Sequence, residues 1–402
     1  MKTQLKPARE VFKGIRPMDY TAHNAEVDAL WSAYRSNKPP RVPMILGVNC
    51  RYIMLDQQYN PEGVCFQQVF EDPDLMLEMM LRFAYFMQYH LPSDRHMGLP
   101  ESWTADVLCM NTYEAEWFGA RREYINNDLP DCRPFIHDEN KNDLFKRGIP
   151  DPFSNNAGFV RDCCGNFRHR IEQGYTYEGL PLTAVSPPAL MGTDGPFTVA
   201  CAIRGASEMC LDLYEDPGYA HELLNFITEA TIVRIKAWRK LFKQPEVTPD
   251  APFAFADDSI ALLSRDMYRE FVLPYHKKLT SSLGNPALRG STHLCGDATH
   301  HFKVMRDELN IFSFDTGFPV NHGELVQTLG PEVAINGGPT VGLLLHGSPD
   351  EVAAETKRIL REVMPHTLRF VLREANNLPP RVPEANVAAM YAAAKSMPYC
   401  HS

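Results

Sequence analysis

Long apolar runs, dense cysteine and clustered positive charge are all scarce in this chain. No hydrophobic stretch approaches the roughly 20 residues that a bilayer-spanning helix needs, so a membrane protein is not expected. The opening residues, Met1-Lys2-Thr3-Gln4-Leu5-Lys6, are basic but no apolar core follows them, so no secretory signal is expected. Ten cysteines in 402 residues are too dilute for a disulfide scaffold. Cys109 and Cys201 lie in apolar patterns, where a thiol packs as a small hydrophobe, and the adjacent Cys163-Cys164 read as structural or surface thiols. The expected setting is a reducing cytoplasm. Lys and Arg never cluster with interleaved aromatics, and the formal net charge is −10. Nucleic acid and anionic membrane are therefore not expected partners. Internal repeats, low-complexity tracts and composition shifts are absent too. The expected organisation is an N-terminal arm and helix over residues 1–40, then one domain over 41–402.

What is present is a rhythm. A first helix is expected over 21–36, capped by Thr21 or Asn24 and closed by Pro39-Pro40. Short apolar segments then alternate with helical patterns. Eight strands are expected, at 44–48, 106–110, 182–185, 253–256, 290–294, 311–314, 333–335 and 368–372. Helices are expected at 73–90, 200–213, 219–242, 264–283, 300–308, 322–329, 349–363 and 384–395. Repeated strand-then-helix units imply an α/β fold with a parallel sheet, and eight of them a single (β/α)8 TIM-type barrel, with a doubly wound sheet as the alternative. Residues 113–179 break the rhythm and read as a long insertion between the second and third strands, at the barrel mouth. Its rings, Trp117, Phe118, Tyr124 and Phe135, need somewhere to pack.

In such a fold, chemistry sits where the strands end. The expected strand ends carry Asn49-Cys50-Arg51, Asn111-Thr112-Tyr113, Ser186-Pro187-Pro188, Asp257-Asp258-Ser259, His293-Leu294-Cys295-Gly296, Asp315-Thr316, Asn336-Gly337-Gly338 and Arg373-Glu374-Ala375-Asn376-Asn377. In a strand, alternate side chains share a face, so the imidazole of His293 and the thiol of Cys295 point the same way. That pair begins a zinc site. Asp257, Asp258 and Asp315 are the candidate catalytic carboxylates, and Asn111, Asn336 and Asn376 the candidate substrate-binding amides. Gly337-Gly338-Pro339 reads as a tight turn, His300-His301 as the start of a helix, and His346 and Cys400-His401 as incidental to any metal site.

The order and spacing of several segments resemble the uroporphyrinogen decarboxylase superfamily, closest to its zinc-dependent, corrinoid-linked methyltransferase branch. The segments are Asp257-Asp258, Leu273-Pro274-Tyr275-His276-Lys277-Lys278, His293-Leu294-Cys295-Gly296, Phe314-Asp315, Gly337-Gly338-Pro339, Gly347-Ser348-Pro349-Asp350-Glu351-Val352, Asn376-Asn377-Leu378-Pro379-Pro380 and Pro383-Glu384-Ala385-Asn386-Val387. The resemblance implies a (β/α)8 barrel with its pocket at the strand C-termini. It also implies zinc held by a His-x-Cys pair and a later Cys, and His293 and Cys295 match the first two. The place of the later Cys falls on Asn376, and Asn ligates zinc poorly beside thiolate or carboxylate. Glu374 is the expected third ligand, with Cys50 and Asp315 as alternatives. A site with one thiolate is harder and more electrophilic, suited to a methoxy or other oxygen-bearing substrate.

The function this implies is methyl transfer between a small methylated substrate and a corrinoid protein, with Zn2+ at the barrel mouth. The corrinoid would be carried by the partner, because no Asp-x-His-x-x-Gly segment is present. A homodimer is compatible with the sequence. Two rivals remain: a metal-free lyase acting on a carboxylated substrate, and a degenerate, non-catalytic binding barrel. The decarboxylases' arginine-rich segment near the first strand is represented here by Arg51 alone, which counts against tetrapyrrole decarboxylation.

Overall fold

The computed structural model describes residues 5–12, 19–126 and 128–399; Cys400 and His401 fall outside them. Helices form where caps and apolar spacing coincide. Helix α1 (Thr21–Arg35) follows Tyr20 rather than a capping Thr21 or Asn24, and Asp19 Oδ1 instead accepts the Thr21 N–H at 2.9 Å. Then α2 (Pro73–Tyr89) starts on Asp72, whose carboxylate accepts from Asp74 N and Leu75 N, with Pro73 in the first turn, where its missing N–H costs nothing. After it come β1 (Trp103–Ala105), α3 (Tyr113–Phe118) and α4 (Asn156–Glu172). Residues 113–179 are thus partly helical, and Trp117 and Phe118 are buried.

Next, β2 (Thr176–Tyr177) and β3 (Leu180–Val185) form a hairpin closed by Glu178-Gly179, both at positive φ. The expected helix over 200–213 is two, α5 (Pro196–Arg204) and α6 (Ala206–Glu215), parted at Gly205 with φ +103°. Asp216 caps α7 (Pro217–Leu241). Strand β4 (Phe255–Ala256) follows. The expected helix over 264–283 is also interrupted. Pro274 has no N–H to donate, so a wider π-helical turn over Tyr268–Val272 precedes α8 (Leu273–Leu283). The chain continues through β5 (Gly290–Leu294), α9 (Thr299–Leu309), β6 (Ile311–Thr316), α10 (His322–Leu329), β7 (Ala334–Gly337), α11 (Pro349–Val363), β8 (Phe370–Leu372) and α12 (Glu384–Lys395). A reciprocal Ser348/Glu351 box starts α11, whose inner face is Val352, Thr356, Ile359, Leu360 and Val363.

The chain divides into two compact units. One comprises residues 1–105, 170–184 and 313–402; the other comprises 106–169 and 185–312. In the first, β6, β7 and β8 pair in parallel, with Phe314 and Phe370 both opposite Ile335. Residue Met44 adds a parallel bridge to Leu372, so the expected strand at 44–48 is present as a single bridge. In the second, β4 and β5 pair in parallel, Phe255 with Thr292 and Ala256 with His293. Expected strand 106–110 is not a strand; the extended stretch lies just before it, in β1. The architecture is α/β with parallel strands. Among the described residues no helix is long and apolar enough to cross a membrane.

Candidate metal centre

Strand β5 sets the geometry. Its side chains alternate, Thr292 and Leu294 buried, His293 and then Cys295 partly open. His293 Nε2 and Cys295 Sγ lie 2.7 Å apart. The third member comes from the neighbouring strand end: Asp258 Oδ1 accepts the Cys295 backbone N–H at 2.7 Å. Ligand atoms of Asp258, His293 and Cys295 all fall within 4.8 Å of one another. An imidazole, a sulfur and a carboxylate oxygen at this spacing match the donor set of a three-ligand zinc centre that leaves a coordination position for substrate.

Asp257, next door, has a different job. Its buried carboxylate accepts Thr198 N and Thr198 Oγ1 on Oδ1, both at 2.7 Å, and Phe197 N at 3.1 Å on Oδ2. It also accepts His276 Nε2 at 2.9 Å on Oδ2, while the buried Tyr268 hydroxyl meets His276 Nδ1 at 3.0 Å. Four donors occupy the lone pairs of one carboxylate, which leaves none free to accept a hydrogen bond from substrate. The first two amides of α5 are among those donors. Gly195, at φ +88°, is what lets α5 approach, since a Cβ there would meet Ala256 O at 2.2 Å.

Sequence reasoning passed over the chain just before α5. Asp194 is half-buried, and its N–H donates to Glu114 Oε2 at 2.6 Å. Burial, then the charges of Glu114 and Asp258, hold its carboxyl well above the usual carboxylate range. Glu114 of α3 also receives Arg234 Nη2 at 2.6 Å and Thr193 Oγ1 at 3.0 Å. Arg234 is fully buried and packs its guanidinium over Tyr113 and Trp117, at 5.5 and 5.1 Å from the ring centres. Tyr113 and Trp117 therefore pack in the floor beneath residues 193–195. A Gly-Pro pair opening a helix was the available signal for Asp194.

The remaining expected site residues divide by unit. Asn111 is exposed in the same unit as the Asp258–His293–Cys295 group. Glu374, Asp315, Cys50, Asn336 and Asn376 belong to the other. Glu374 is fully buried; Oε1 accepts Gly47 N at 2.6 Å, while Oε2 has no partner among the described residues. Burial pushes its carboxyl up to about 8, against the pull of the neighbouring Arg373. Asp315 is ion-paired with Arg373. Burial pushes the Cys50 thiol up to about 12, far from the thiolate a metal needs. Asn336 lends its carbonyl to Thr316 Oγ1, and Asn376 takes a left-handed turn at φ 98°. Gly337 and Gly338 serve close packing rather than a turn: a Cβ at Gly337 would meet His322 Nε2 at 2.3 Å, and one at Gly338 would meet Arg373 O at 2.3 Å.

The family model described as "Uroporphyrinogen decarboxylase (URO-D)" matches residues 104–397. A methylated-thiol–coenzyme M methyltransferase of Methanosarcina mazei is 31% identical over 170 residues, 41% of this chain and 42% of that protein. The methylcobamide:CoM methyltransferase MtbA of the same organism is 26% identical over 215 residues, covering 53% and 59%. A uroporphyrinogen decarboxylase of Anaeromyxobacter dehalogenans is 27% identical over 210 residues, covering 50% and 57%. The chain thus spans about half the length of the curated relatives it matches. Among solved structures, a methyltransferase from Methanosarcina mazei superposes with a TM-score of 0.61 at 18% identity, covering 92% of this chain and 98% of that one. With the family model running across most of its length, this chain belongs to the uroporphyrinogen decarboxylase family.

Proposed function

We propose that this protein is a methyltransferase moving a methyl group between a small methylated substrate and a corrinoid carried by a partner protein, around Zn2+ held by Asp258, His293 and Cys295. The observation that carries the reading is the mutual spacing of those three ligand atoms, within 4.8 Å. Two of the relatives that share the sequence are named as coenzyme M methyltransferases, which supports it. In this reading Asp258 supplies the third donor in place of Glu374, and one thiolate with one carboxylate gives the harder site suited to an oxygen-bearing methyl donor. The fold we assign is a single (β/α)8 barrel over 41–402, with residues 1–40 as its lead-in and 113–179 as an insertion.

When bound, zinc would supply a Lewis acid for the heteroatom that carries or receives the methyl group. The chain's own residues do the rest. Asp257 anchors the first turn of α5. Asp194, its carboxyl raised by burial and then by the charges of Glu114 and Asp258, is placed as a hydrogen-bonding partner for a substrate heteroatom. The Asp194 backbone and Thr193 are fixed by Glu114, and Glu114 by Arg234, so that carboxyl sits on a rigid floor. Fixed groups count for much in methyl transfer, which requires the donor atom, the carbon and the acceptor atom in line.

The test is metal analysis of protein purified without chelator. One equivalent of zinc is expected, falling below a tenth of that in His293→Ala and Cys295→Ala. Absence of zinc from the wild-type protein, with activity indifferent to both substitutions, would end the proposal. A second reading, a metal-free lyase for a carboxylated substrate, has the similarity to decarboxylases in its favour. It predicts turnover of an acidic substrate undiminished by chelator.

A further inference from the structure

The hydroxyl of Thr198 sits between two residues that flank a proposed ligand. Its Oγ1 donates to Asp257 Oδ1 at 2.7 Å and accepts the Ser259 backbone N–H at 2.9 Å. The residue between them is Asp258. A single side chain thus grips the chain on both sides of that carboxylate. Thr198 is itself tied down, since its own N–H donates to Asp257 Oδ1 at 2.7 Å from the first turn of α5. Behind the clamp, His276 of α8 completes the hydrogen bonding of Asp257, and Tyr268, from the π-helical turn before α8, meets the other ring nitrogen of His276.

Resting on the zinc reading above, we propose that Thr198 is a positioning residue for the cation: it fixes the peptide of Asp258 so that this carboxylate meets the His293–Cys295 pair. Asp258 needs such help because it lies in a 3-10 turn, Asp258–Leu262, beyond the end of β4, where no strand ladder holds the backbone. His293 stands within β5 and needs none. The chain from Gly195 to Thr198 is therefore part of the metal centre without touching the metal. A ligand left free to rotate pays its ordering entropy at the moment of binding. The clamp has that ordering done beforehand.

The experiment compares wild type with Thr198→Ser and Thr198→Val. Serine keeps both hydrogen bonds; valine keeps the shape and removes both. Zinc affinity is measured by competition with a chromophoric chelator, alongside the melting temperature of the metal-free protein and the visible spectrum of the Co2+-substituted form. Thr198→Ser is expected to bind zinc within about twofold of wild type, and Thr198→Val at least tenfold more weakly, which is about 1.4 kcal/mol. The Co2+ ligand-field bands should shift in valine alone. Should Thr198→Val not fold, Thr198→Ala removes the same two bonds without the added methyl and is read the same way. Wild-type protein that binds no zinc defeats the zinc reading itself. Wild type that binds zinc while Thr198→Val binds it equally well, with an unchanged Co2+ spectrum, overturns this inference and leaves that reading standing.

Discussion

Asp258 and Cys295 are joined directly: the backbone N–H of Cys295 donates to Asp258 Oδ1 at 2.7 Å, across 37 residues of sequence. The bond ties the ends of β4 and β5 and brings a carboxylate beside a thiol. It also separates the roles of two adjacent aspartates, Asp257 turned inward to four donors and Asp258 turned toward His293 and Cys295.

That separation predicts different outcomes for two isosteric substitutions. Asp258→Asn should reduce zinc content at least fivefold, because an amide oxygen is a much weaker ligand than a carboxylate. Glu374→Gln should leave zinc content unchanged. Metal analysis of the two purified variants checks both statements, and the reverse pattern would restore Glu374 as the third ligand.

Glu374 carries a pH signature of its own. Its carboxyl is raised to about 8 in the fold, from an ordinary value of 4.5. Between those values the unfolded chain has released the proton and the folded chain still holds it. This residue's contribution to stability is therefore full below about 4.5 and is lost as pH rises toward 8, at up to ~1.4 kcal/mol per pH unit. Glu374→Gln should flatten that fall, so its melting temperature should gain on wild type between pH 5 and pH 8.

His322 acts in the opposite direction. Burial first, then the charge of Arg358, lowers its imidazole from 6.5 to about 4, and Nε2 has no partner among the described residues. The unfolded chain takes up the proton first as pH falls. The stabilisation is present above 6.5 and drains away toward 4. His322→Gln should show a shallower acid limb in melting temperature measured from pH 7 to pH 4.

The buried pair Arg234–Glu114, at 2.6 Å with both side chains essentially inaccessible, should be costly to break from one side only. Removing one partner strands the other charge, at ~3–5 kcal/mol. Arg234→Met is therefore expected to destabilise strongly in urea unfolding. Arg234→Met with Glu114→Gln should cost less than the sum of the two single changes.

Gly195 is a sharper local test. Its φ of +88° and the 2.2 Å approach of Ala256 O leave no room for a methyl group. Gly195→Ala should lose ~1–3 kcal/mol from backbone strain alone. It should lower zinc affinity as well, since it pushes α5 away from Asp257. Chelator competition and thermal melting measure the two effects separately.

What depends on near neighbours along the chain is legible in the residues themselves. Helices α10 and α11 have their caps, Asn321 and Ser348, in the residues just before them, and His293 and Cys295 share a face because two residues is one strand period. Helix breaks at Gly205 and before Pro274 were written in those residues too, although the apolar pattern ran across them. Tertiary structure alone decided what joins those pieces. Which of two adjacent aspartates faces the thiol, and that Thr198 grips both neighbours of Asp258, depend on contacts spanning 37 to 61 residues. Periodicity carries no information over such distances; hydrogen-bond partners there are chosen by how helices and strands pack.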